Sequence, residues 1–317
     1  MQKAVLLHNP ESGGRGARRE KELQSALAIL QKGGVAATLI PTQSPGDAGA
    51  QARQAIASGC DTVFACGGDG TIHNIVQVLA NTPVALAILP MGTANALAHD
   101  IGLPMNVEAA AKAALTGSTR RVGVGRIQFA DLEGRPCSRL FVVAAGAGVD
   151  AHLFYKLRTG TKRRMGMTAY YAKAWQLWFS HLMVRFSLEF EEGNAGQTRT
   201  AEVTELLAVR IRNFGGVLRE LAPGASLERN DLRLVYCATE SRLAYLAYVT
   251  RGLLGGKWNV RGIDLAFSER VSCKYSSANE NGAQSKIYVE ADGELVGMLP
   301  AEITVMRDAL TLLVPAP

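Results

Sequence analysis

The strongest signal for the fold of the first part of the chain is Cys66-Gly67-Gly68-Asp69-Gly70-Thr71. It comes directly after the apolar run Asp61–Ala65 and before the helical pattern of Thr71–Ala80, which predicts a strand-to-helix junction. Glycines let the backbone turn tightly there, and the free N–H groups at the start of the helix suit a phosphate. Because a carboxylate repels a phosphate, we expect Asp69 to act through a divalent cation such as Mg²⁺.

A plain structural interpretation of this junction stays open, because Asp and Thr are also good helix caps. Two further glycine-bearing junctions favour a ligand. Asn9-Pro10-Glu11-Ser12-Gly13-Gly14-Arg15 follows the strand predicted at Lys3–His8, and Pro90-Met91-Gly92-Thr93-Ala94-Asn95 follows the one at Val84–Leu89. In a parallel α/β sheet such loops meet at the carboxyl ends of the strands, where ligands bind. The three loops together predict a nucleotide cradle, in which Arg15 either binds phosphate or is a solvated surface arginine.

Strand and helix patterns alternate through the first third of the chain. This order predicts a mainly parallel sheet with helices on both faces, which is a three-layer α/β domain over residues 1–124. After Arg121 the chain becomes strand-rich. Arg185–Phe190, for example, alternates apolar and polar residues as a half-buried antiparallel strand does. We therefore place a domain boundary near Gly123–Gly125.

Composition limits the class of protein. The chain has 317 residues, 48% of them hydrophobic and 20% charged, which argues against a mostly disordered protein. No apolar run approaches the roughly 20 residues of a membrane-spanning helix. The five cysteines are scattered without paired spacing, so we expect no disulfide framework or zinc site and a reducing cytoplasm. The net charge of +6 suits an anionic partner without choosing among nucleotide, acidic membrane and nucleic acid.

Four motifs together resemble those of one family. They are GGDGT at 67–71, N-P-x-S-G-G at 9–14, L-P-x-G-T-x-N at 89–95 and a late D-G-E at 292–294. The combination resembles the diacylglycerol kinase catalytic-domain superfamily, and in particular its bacterial soluble lipid kinases. Weaker similarities at 117–122, 162–170 and 213–216 extend the resemblance along nearly the whole chain.

The resemblance implies a two-domain kinase. Its first domain is a Rossmann-like α/β domain of the NAD kinase and diacylglycerol kinase type, completed by a C-terminal segment at about residues 306–317. The second, over residues 125–305, is a β-sandwich for the lipid substrate, and the cleft between them holds the lipid headgroup. The residues expected to bind ATP are Asn9, Ser12, Gly13, Gly14, Arg15, Gly67, Gly68, Asp69, Gly70, Thr71, Gly92, Thr93 and Asn95. For Thr93 and Asn95, capping of the next helix is an equal alternative.

Phosphoryl transfer needs charge neutralisation and a base near the acceptor hydroxyl. By the resemblance, Asp69 coordinates Mg²⁺, Asp292 is the general base, and Glu294 supports the metal or the acceptor. A plain β-hairpin is the alternative for the second pair, because Asp292-Gly293 between two apolar runs is a favoured hairpin turn. Both interpretations can hold together, since a turn would expose the carboxylate.

Three positions depart from the family pattern. Asn74 stands where the helix after GGDGT usually carries Glu, and Ala96 stands where many relatives have Asp. Glu228-Arg229-Asn230 aligns with a stretch often reading D-D-G, which holds a structural Mg²⁺ in some members. An arginine there argues against a structural cation in this chain, while the catalytic motifs are unaffected.

A basic run without acids precedes an aromatic-rich helical pattern in the second domain. Its members are Lys156, Arg158, Lys162, Arg163 and Arg164, followed by Tyr170, Tyr171, Trp175, Trp178 and Phe179. Basic and aromatic side chains favour an anionic membrane surface, so this segment is one hypothesis for membrane docking. The alternative is a buried helix behind a solvated basic loop.

The sequence thus predicts a cytoplasmic lipid kinase, peripheral at the inner membrane surface, that uses ATP and Mg²⁺ to phosphorylate a hydroxyl of a membrane lipid. Diacylglycerol, converted to phosphatidic acid, is the default acceptor, and a sphingoid base, ceramide or phosphatidylglycerol stays open. The alternatives are an NAD kinase-like enzyme and a non-catalytic lipid or nucleotide sensor. We expect no nucleic-acid partner and leave a homodimer open.

Overall fold

The computed structural model describes most of the chain. The described residues are 1–9, 16–42, 46–148, 183–193, 196–215, 221–256, 258–276 and 286–316. The basic and aromatic segment between Lys156 and Phe179 therefore lies outside the described residues, as do Ser12, Gly13, Gly14 and Arg15. In the described part, no helix combines the length and hydropathy needed to span a membrane.

The chain divides into two compact units. Unit 1 comprises Met1–Val124, Asn213–Arg219 and Met306–Pro317, and unit 2 comprises Gly125–Arg212 and Glu220–Val305. Asn213–Arg219, which the sequence analysis placed with the second domain, groups with unit 1. The predicted fold class is confirmed, since the first unit is α/β and the second is strand-rich.

Unit 1 is built on a parallel sheet. Its strands are β1 (Lys3–His8), β2 (Ala36–Pro41), β3 (Thr62–Gly67), β4 (Ala85–Pro90) and the last part of β15 (Glu294–Val314). They lie in the order β2-β1-β3-β4-β15, and every neighbouring pair is parallel. All residues of β3 and β4 are buried, as expected for central strands covered on both faces.

Four of the five described helices of unit 1 pack in two pairs. The five are α1 (Gly16–Lys32), α2 (Asp47–Ala57), α3 (Asp69–Leu79), α4 (Ala96–Asp100) and α5 (Val107–Thr116). Helix α1 contacts α5, and α2 contacts α3. The sequence analysis did not predict α5, although Asn106 caps it by accepting a hydrogen bond from the N–H of Ala109 (3.0 Å).

Arg121 fastens the C-terminal strand to unit 1. Its guanidinium donates to the carbonyl oxygen of Thr82 (3.0 Å), to Thr311 Oγ1 (2.8 Å) and to the carbonyl oxygen of Asp308. Thr311 pairs with Ala85 of β4 in parallel register. One side chain from the end of the α/β region thus links the loop before β4 to the chain terminus.

Unit 2 consists mainly of antiparallel strands with one described helix, α6 (Arg242–Leu254). The strands are β5 (Ser118–Ala130, which begins in unit 1), β6 (Pro136–Phe141), β7 (Ala144–Gly148), β8 (Phe186–Glu192), β9 (Gln197–Val203), β10 (Glu205–Val209), β11 (Leu232–Cys237), β12 (Ile263–Ser268), β13 (Arg270–Tyr275), β14 (Tyr288–Ala291) and the first part of β15. One set runs β12-β11-β10-β7-β14-β15, and the other runs β9-β8-β13-β15-β5-β6. Side chains from both sets form one core, which includes Phe186, Leu188 and Phe190 of the predicted alternating strand.

A fully buried arginine organises the loop before β11. Arg210 is 0% exposed and donates to the carbonyl oxygens of Leu227 (3.1 Å), Arg229 (2.8 Å) and Asp231 (2.6 Å). Burial lowers the pKa of Arg210 to about 10, and nearby Asp231 opposes this effect. Arg229 itself forms a two-pronged ion pair with the Asp231 carboxylate, both contacts at 2.6 Å. Guanidinium groups therefore hold the loop in which relatives often carry D-D-G.

We expect Arg210→Met to lower the free energy of unfolding by about 2–4 kcal/mol, because it leaves buried carbonyl oxygens without their charged donor. Urea denaturation would measure this loss. Arg139→Met is the matched control, since Arg139 is exposed on β6 of the same unit, and it should stay within about 0.5 kcal/mol of the parent. Equal stability of the two variants would contradict the role given to Arg210.

Candidate active site

The carboxyl ends of three strands lie side by side in unit 1. In the β1–β3 register His8 is opposite Cys66, and in the β3–β4 register Gly67 is opposite Pro90. Asn9, the first residue after β1, therefore lies next to the start of the GGDGT loop. The glycine-bearing junctions that follow β3 and β4 begin on the same edge.

The loops after β3 and β4 are in direct backbone contact. A Cβ atom on Gly92 would lie 2.3 Å from the Cα of Gly68, and one on Gly68 would lie 3.0 Å from the Cα of Gly92. The N–H of Met91 also donates to the carbonyl oxygen of Gly67 (3.0 Å). Close packing of the two loops thus requires glycine at 68 and 92 before any ligand is considered.

We expect Gly92→Ala to destabilise the protein by about 1–3 kcal/mol, because the new methyl group meets the backbone of Gly68 at 2.3 Å and Oδ1 of Asn95 at 2.7 Å. Displacing the loop by about 1 Å should also lower turnover roughly 10²-fold. Gly46→Ala is the control, since a Cβ there meets nothing within 4 Å. Urea denaturation and a kinase assay on both variants would check this, and an unaltered Gly92→Ala protein would contradict it.

Asp69 connects the GGDGT loop to the next motif. It is the first residue of α3, and its Oδ1 accepts a hydrogen bond from the N–H of Ala96 (2.9 Å). Ala96 begins α4, so a carboxylate from another loop caps this short helix. Only the backbone of Ala96 is used in this bond. The departure from Asp at that position therefore leaves this contact intact.

Asn95 closes the G-T-x-N turn. It precedes α4 in a left-handed conformation (φ 49°), and it is 8% exposed. Its Oδ1 accepts from the N–H of Gly92 (2.8 Å), and its Nδ2 donates to the carbonyl oxygen of Gly92 (3.0 Å). The side chain of Asn95 thus makes no capping bond to α4, and Thr93 between the two is exposed.

Helix α3 begins directly after the second glycine of the GGDGT loop. Gly68 precedes the helix in an extended conformation and, being a glycine, has no side chain with which to cap it. The interpretation in which Asp69 or Thr71 caps this helix stays an alternative. Thr71 lies against Gly67, where a Cβ would be 2.3 Å from its Oγ1. The N–H groups of an eleven-residue helix carry partial positive charge at this edge.

Sequence analysis did not identify two residues that lie at the same edge of the sheet. Arg19 of α1 donates from Nη2 to the carbonyl oxygen of Met91 (2.5 Å). Thr42, just after β2, donates its N–H to the carbonyl oxygen of His8 (2.8 Å). Within the described residues, the buried Oγ1 of Thr42 has no hydrogen-bond partner. Considering the carboxyl end of every predicted strand would have identified Thr42, whereas nothing local marks Arg19.

We expect the protein to be less stable in acid because of the buried His8. Burial lowers the pKa of His8 below its ordinary 6.5, and the charge of Glu20 opposes this more weakly. The folded chain therefore binds the proton less tightly than the unfolded chain, so stability present above pH 6.5 is lost as the pH falls through the lowered pKa. Between about pH 8 and about pH 5.5, the melting temperature should fall more for the parent than for His8→Gln. Parallel curves would contradict this.

Asp292 lies at a tight turn in unit 2. Asp292 and Gly293 both have positive φ (51° and 78°) and join Ala291 to Glu294 as a two-residue hairpin. The predicted hairpin is therefore present. The carboxylate is not exposed by the turn, contrary to expectation, because Asp292 is only 9% exposed.

Backbone N–H groups 150 residues earlier in the chain hold this carboxylate. Oδ1 of Asp292 accepts from the N–H groups of Val142 (3.2 Å), Val143 (2.8 Å) and Ala144 (3.2 Å), and Oδ2 accepts from Val142 (3.1 Å). The N–H of Asp292 also donates to the carbonyl oxygen of Ala144 (2.8 Å). The orientation of the Asp292 carboxylate is thus fixed.

Two glutamates flank the turn. Glu290 is 3% exposed, and its Oε2 accepts from the N–H of Gly293 (2.7 Å). It lies beside the glycine-containing strand β7, where a Cβ on Gly146 would be 3.0 Å from Oε1 of Glu290. Glu294, on the other side of the turn, is partly exposed. Sequence reasoning missed Glu290, although it belongs to the same hairpin.

The turn that begins at Asn213, one of the weaker family similarities, packs against α4 within unit 1. The N–H of Asn213 donates to Oδ1 of Asp100 (2.9 Å), at the end of that helix. Gly215 lies on the imidazole of His99, where a Cβ would be 2.2 Å from Cδ2. Helix α4 is therefore capped by Asp69 at its start and bound by the Asn213 turn at its end.

Comparison with known proteins gives the family of the first unit. A family model described as "Diacylglycerol kinase catalytic domain" matches residues 3–127. The chain is 27% identical over 322 residues to a diacylglycerol kinase of Bacillus subtilis, covering 99% of this chain and 97% of that protein. It is 25% identical over 315 residues to one of Staphylococcus aureus, covering 99% and 92%.

Solved structures agree on the fold. A Bacillus anthracis structure described as a diacylglycerol kinase has a TM-score of 0.71 at 19% identity, covering 100% of this chain and 97% of that one. Yeast NADH kinase has a TM-score of 0.51 at 11% identity, covering 99% and 84%. At these identities the likeness concerns the fold alone.

Proposed function

We propose that this chain, which matches the diacylglycerol kinase catalytic-domain model over residues 3–127 and is 27% identical to a diacylglycerol kinase, is a lipid kinase that transfers the γ-phosphate of ATP, with Mg²⁺, to the free hydroxyl of diacylglycerol. The new bond joins the hydroxyl oxygen to the γ-phosphorus, the bond to the bridging oxygen breaks, and ADP leaves. The observation that carries the proposal is the edge of unit 1 where Asp69 and the first turn of α3 lie together.

The nucleotide half of the proposal rests on that edge. The N–H groups at the start of α3 suit the phosphates of ATP, and the buried Thr42 Oγ1, which lacks a partner among the described residues, offers one polar contact. Asn9, Gly92, Thr93 and Asn95 complete the proposed set of nucleotide residues within the described part of the chain. A cradle that contains a buried polar atom in need of a hydrogen-bond partner, as Thr42 Oγ1 is, fits a nucleotide, because a bound nucleotide can supply that partner.

Asp69 is the residue proposed to hold Mg²⁺. Within the described residues no three acidic, histidine or cysteine side chains are grouped for a metal. Mg²⁺ is commonly bound by one or two carboxylates together with substrate phosphates, so a single carboxylate beside the phosphate site fits it. When bound, the ion would neutralise charge on the transferring phosphoryl group. The bond from Ala96 orients the Asp69 carboxylate.

The acceptor half of the proposal rests on Asp292. We propose that Asp292 accepts the proton of the acceptor hydroxyl and that Glu294, next to it in the hairpin, supports the acceptor. Oδ1 of Asp292 accepts N–H bonds from Val142, Val143 and Ala144, and Oδ2 accepts one from Val142 (3.1 Å). We propose Oδ2 as the oxygen that accepts the proton, because three backbone donors already converge on Oδ1.

The test is transfer of label from γ-labelled ATP to a panel of acceptors, with and without Mg²⁺. The panel contains diacylglycerol, ceramide, sphingosine, phosphatidylglycerol and NAD. Mg²⁺-dependent transfer to diacylglycerol supports the proposal. Preferred transfer to another lipid of the panel would make that lipid, instead of diacylglycerol, the acceptor. Transfer to NAD alone, or binding without any transfer, would overturn it.

A further inference from the structure

Helix α6 of unit 2 carries an exposed apolar face. Leu243, Leu246 and Val249 are 77%, 39% and 40% exposed, and their spacing of three places them along one side of the helix. Leu254 (73%) and Trp258 (46%) continue the apolar surface just after the helix ends. We call these five residues the α6 face.

The other side of α6 is bound to the rest of unit 2. Tyr245 shares a hydrogen bond with Oγ1 of Thr204 (2.7 Å), and Tyr248 donates to the carbonyl oxygen of Leu221 (2.6 Å). Arg251 is 5% exposed, and its guanidinium lies 4.1 Å from the centre of the Tyr248 ring. Because its inward side is anchored, the helix presents the α6 face to the outside as a fixed surface.

The chain segment that carries this face has a positive net charge. No Asp or Glu occurs between Ser241 and Ile263 in the sequence, whereas Arg242, Arg251, Lys257 and Arg261 do. Arg261 is exposed in the turn before β12, and the exposed Asp264 follows it. The nearest preceding acid, Glu240, is paired with Arg185 (2.8 Å). An apolar surface on a basic segment complements an anionic apolar partner.

We propose that the α6 face docks this enzyme on an anionic lipid bilayer. The inference rests on the proposed function only in that the acceptor lipid resides in a membrane. Leucines enter the acyl boundary, a tryptophan favours the headgroup level, and arginines meet lipid phosphates, as in helices that lie in the membrane interface.

A second copy of the chain fits this face less well. Stable interfaces engage about 20–30 residues on each side, whereas the α6 face has five. A two-fold contact through this helix would also bring the basic segments of both copies together, and residues 241–263 contain no acid to pair with them.

The experiment is flotation of the whole protein with lipid vesicles in the absence of ATP. Vesicles are phosphatidylcholine alone, or phosphatidylcholine with about 30% phosphatidylglycerol. The parent should float with the anionic vesicles, and Leu243→Ser/Leu254→Ser should lower the bound fraction at least about fivefold. Leu132→Ser, at another exposed leucine of unit 2 (45%), should not. Arg261→Glu should also weaken binding, while Arg139→Glu on exposed β6 should not.

Three results would overturn the proposal. They are equal flotation of the α6 and Leu132 variants, equal binding to neutral and anionic vesicles, and a parent dimer that the α6 variant dissociates while flotation persists. Activity on a dispersed short-chain diacylglycerol keeps this test apart from the proposed function. The α6 variant should retain that activity. Flotation without phosphoryl transfer to any lipid would overturn the proposed function but would still support the α6 face as the docking surface.

Discussion

Asp69→Asn should reduce turnover about 10²–10³-fold while the protein stays folded. The substitution removes the charge proposed to hold Mg²⁺. It keeps an oxygen that can still accept the bond from the N–H of Ala96 (2.9 Å), so the cap of α4 survives. Alanine would be a poorer probe, because it also removes the cap, at a cost of about 1 kcal/mol. Steady-state kinetics with thermal unfolding of the same preparation would measure both effects.

The matched control is Asp47→Asn. Asp47 begins α2 of the same unit, as Asp69 begins α3. It lies outside the three strand ends that form the candidate site. We expect Asp47→Asn to leave turnover within about twofold of the parent. If Asp69→Asn were as active as this control, the metal role of Asp69 would have to be abandoned.

Asp292→Asn should lower turnover about 10²–10⁴-fold, the range expected for loss of a positioned base. The amide oxygen can take the place of Oδ1 and accept from the N–H groups of Val142, Val143 and Ala144. The amide nitrogen then faces the N–H of Val142 at the former Oδ2 distance of 3.1 Å. Two donors in contact should cost about 1–3 kcal/mol of stability without unfolding the protein.

Two further variants make this result interpretable. Asp264→Asn removes an exposed carboxylate of the same unit and should change neither turnover nor stability. Glu294→Gln should lose less turnover than Asp292→Asn, because Glu294 is assigned a supporting role. A fully active Asp292→Asn enzyme would leave the turn with a purely structural role, and a larger loss in Glu294→Gln would move the base to Glu294.

The sheet edge of unit 1 was predictable because its signals are local. Buried strands such as Val63–Ala65 are apolar on both faces, and glycines mark the turns that follow them. Strand β7 could not be predicted in the same way. Its sequence, Ala-Ala-Gly-Ala-Gly at 144–148, has low β propensity, and its strand conformation comes from pairing with β10 and β14.

The contacts that orient the site were not predictable from the sequence. The bond from Ala96 to Asp69 depends on the register that sets Gly67 opposite Pro90. Likewise, the N–H groups that hold Asp292 come from a segment 150 residues earlier. Sequence motifs identify which residues belong to the candidate site. The atoms that those residues bind depend on tertiary contacts, which the motifs do not contain.

A crystal structure with Mn²⁺ in place of Mg²⁺ and a non-hydrolysable ATP analogue would show whether Asp69 holds a metal beside the nucleotide phosphates. We expect triphosphate density against the first turn of α3, with an anomalous metal peak in contact with Asp69. The metal peak should be missing in Asp69→Asn crystals grown under the same conditions. A triphosphate bound away from the ends of β1, β3 and β4, or a metal peak that persists without the Asp69 carboxylate, would contradict it.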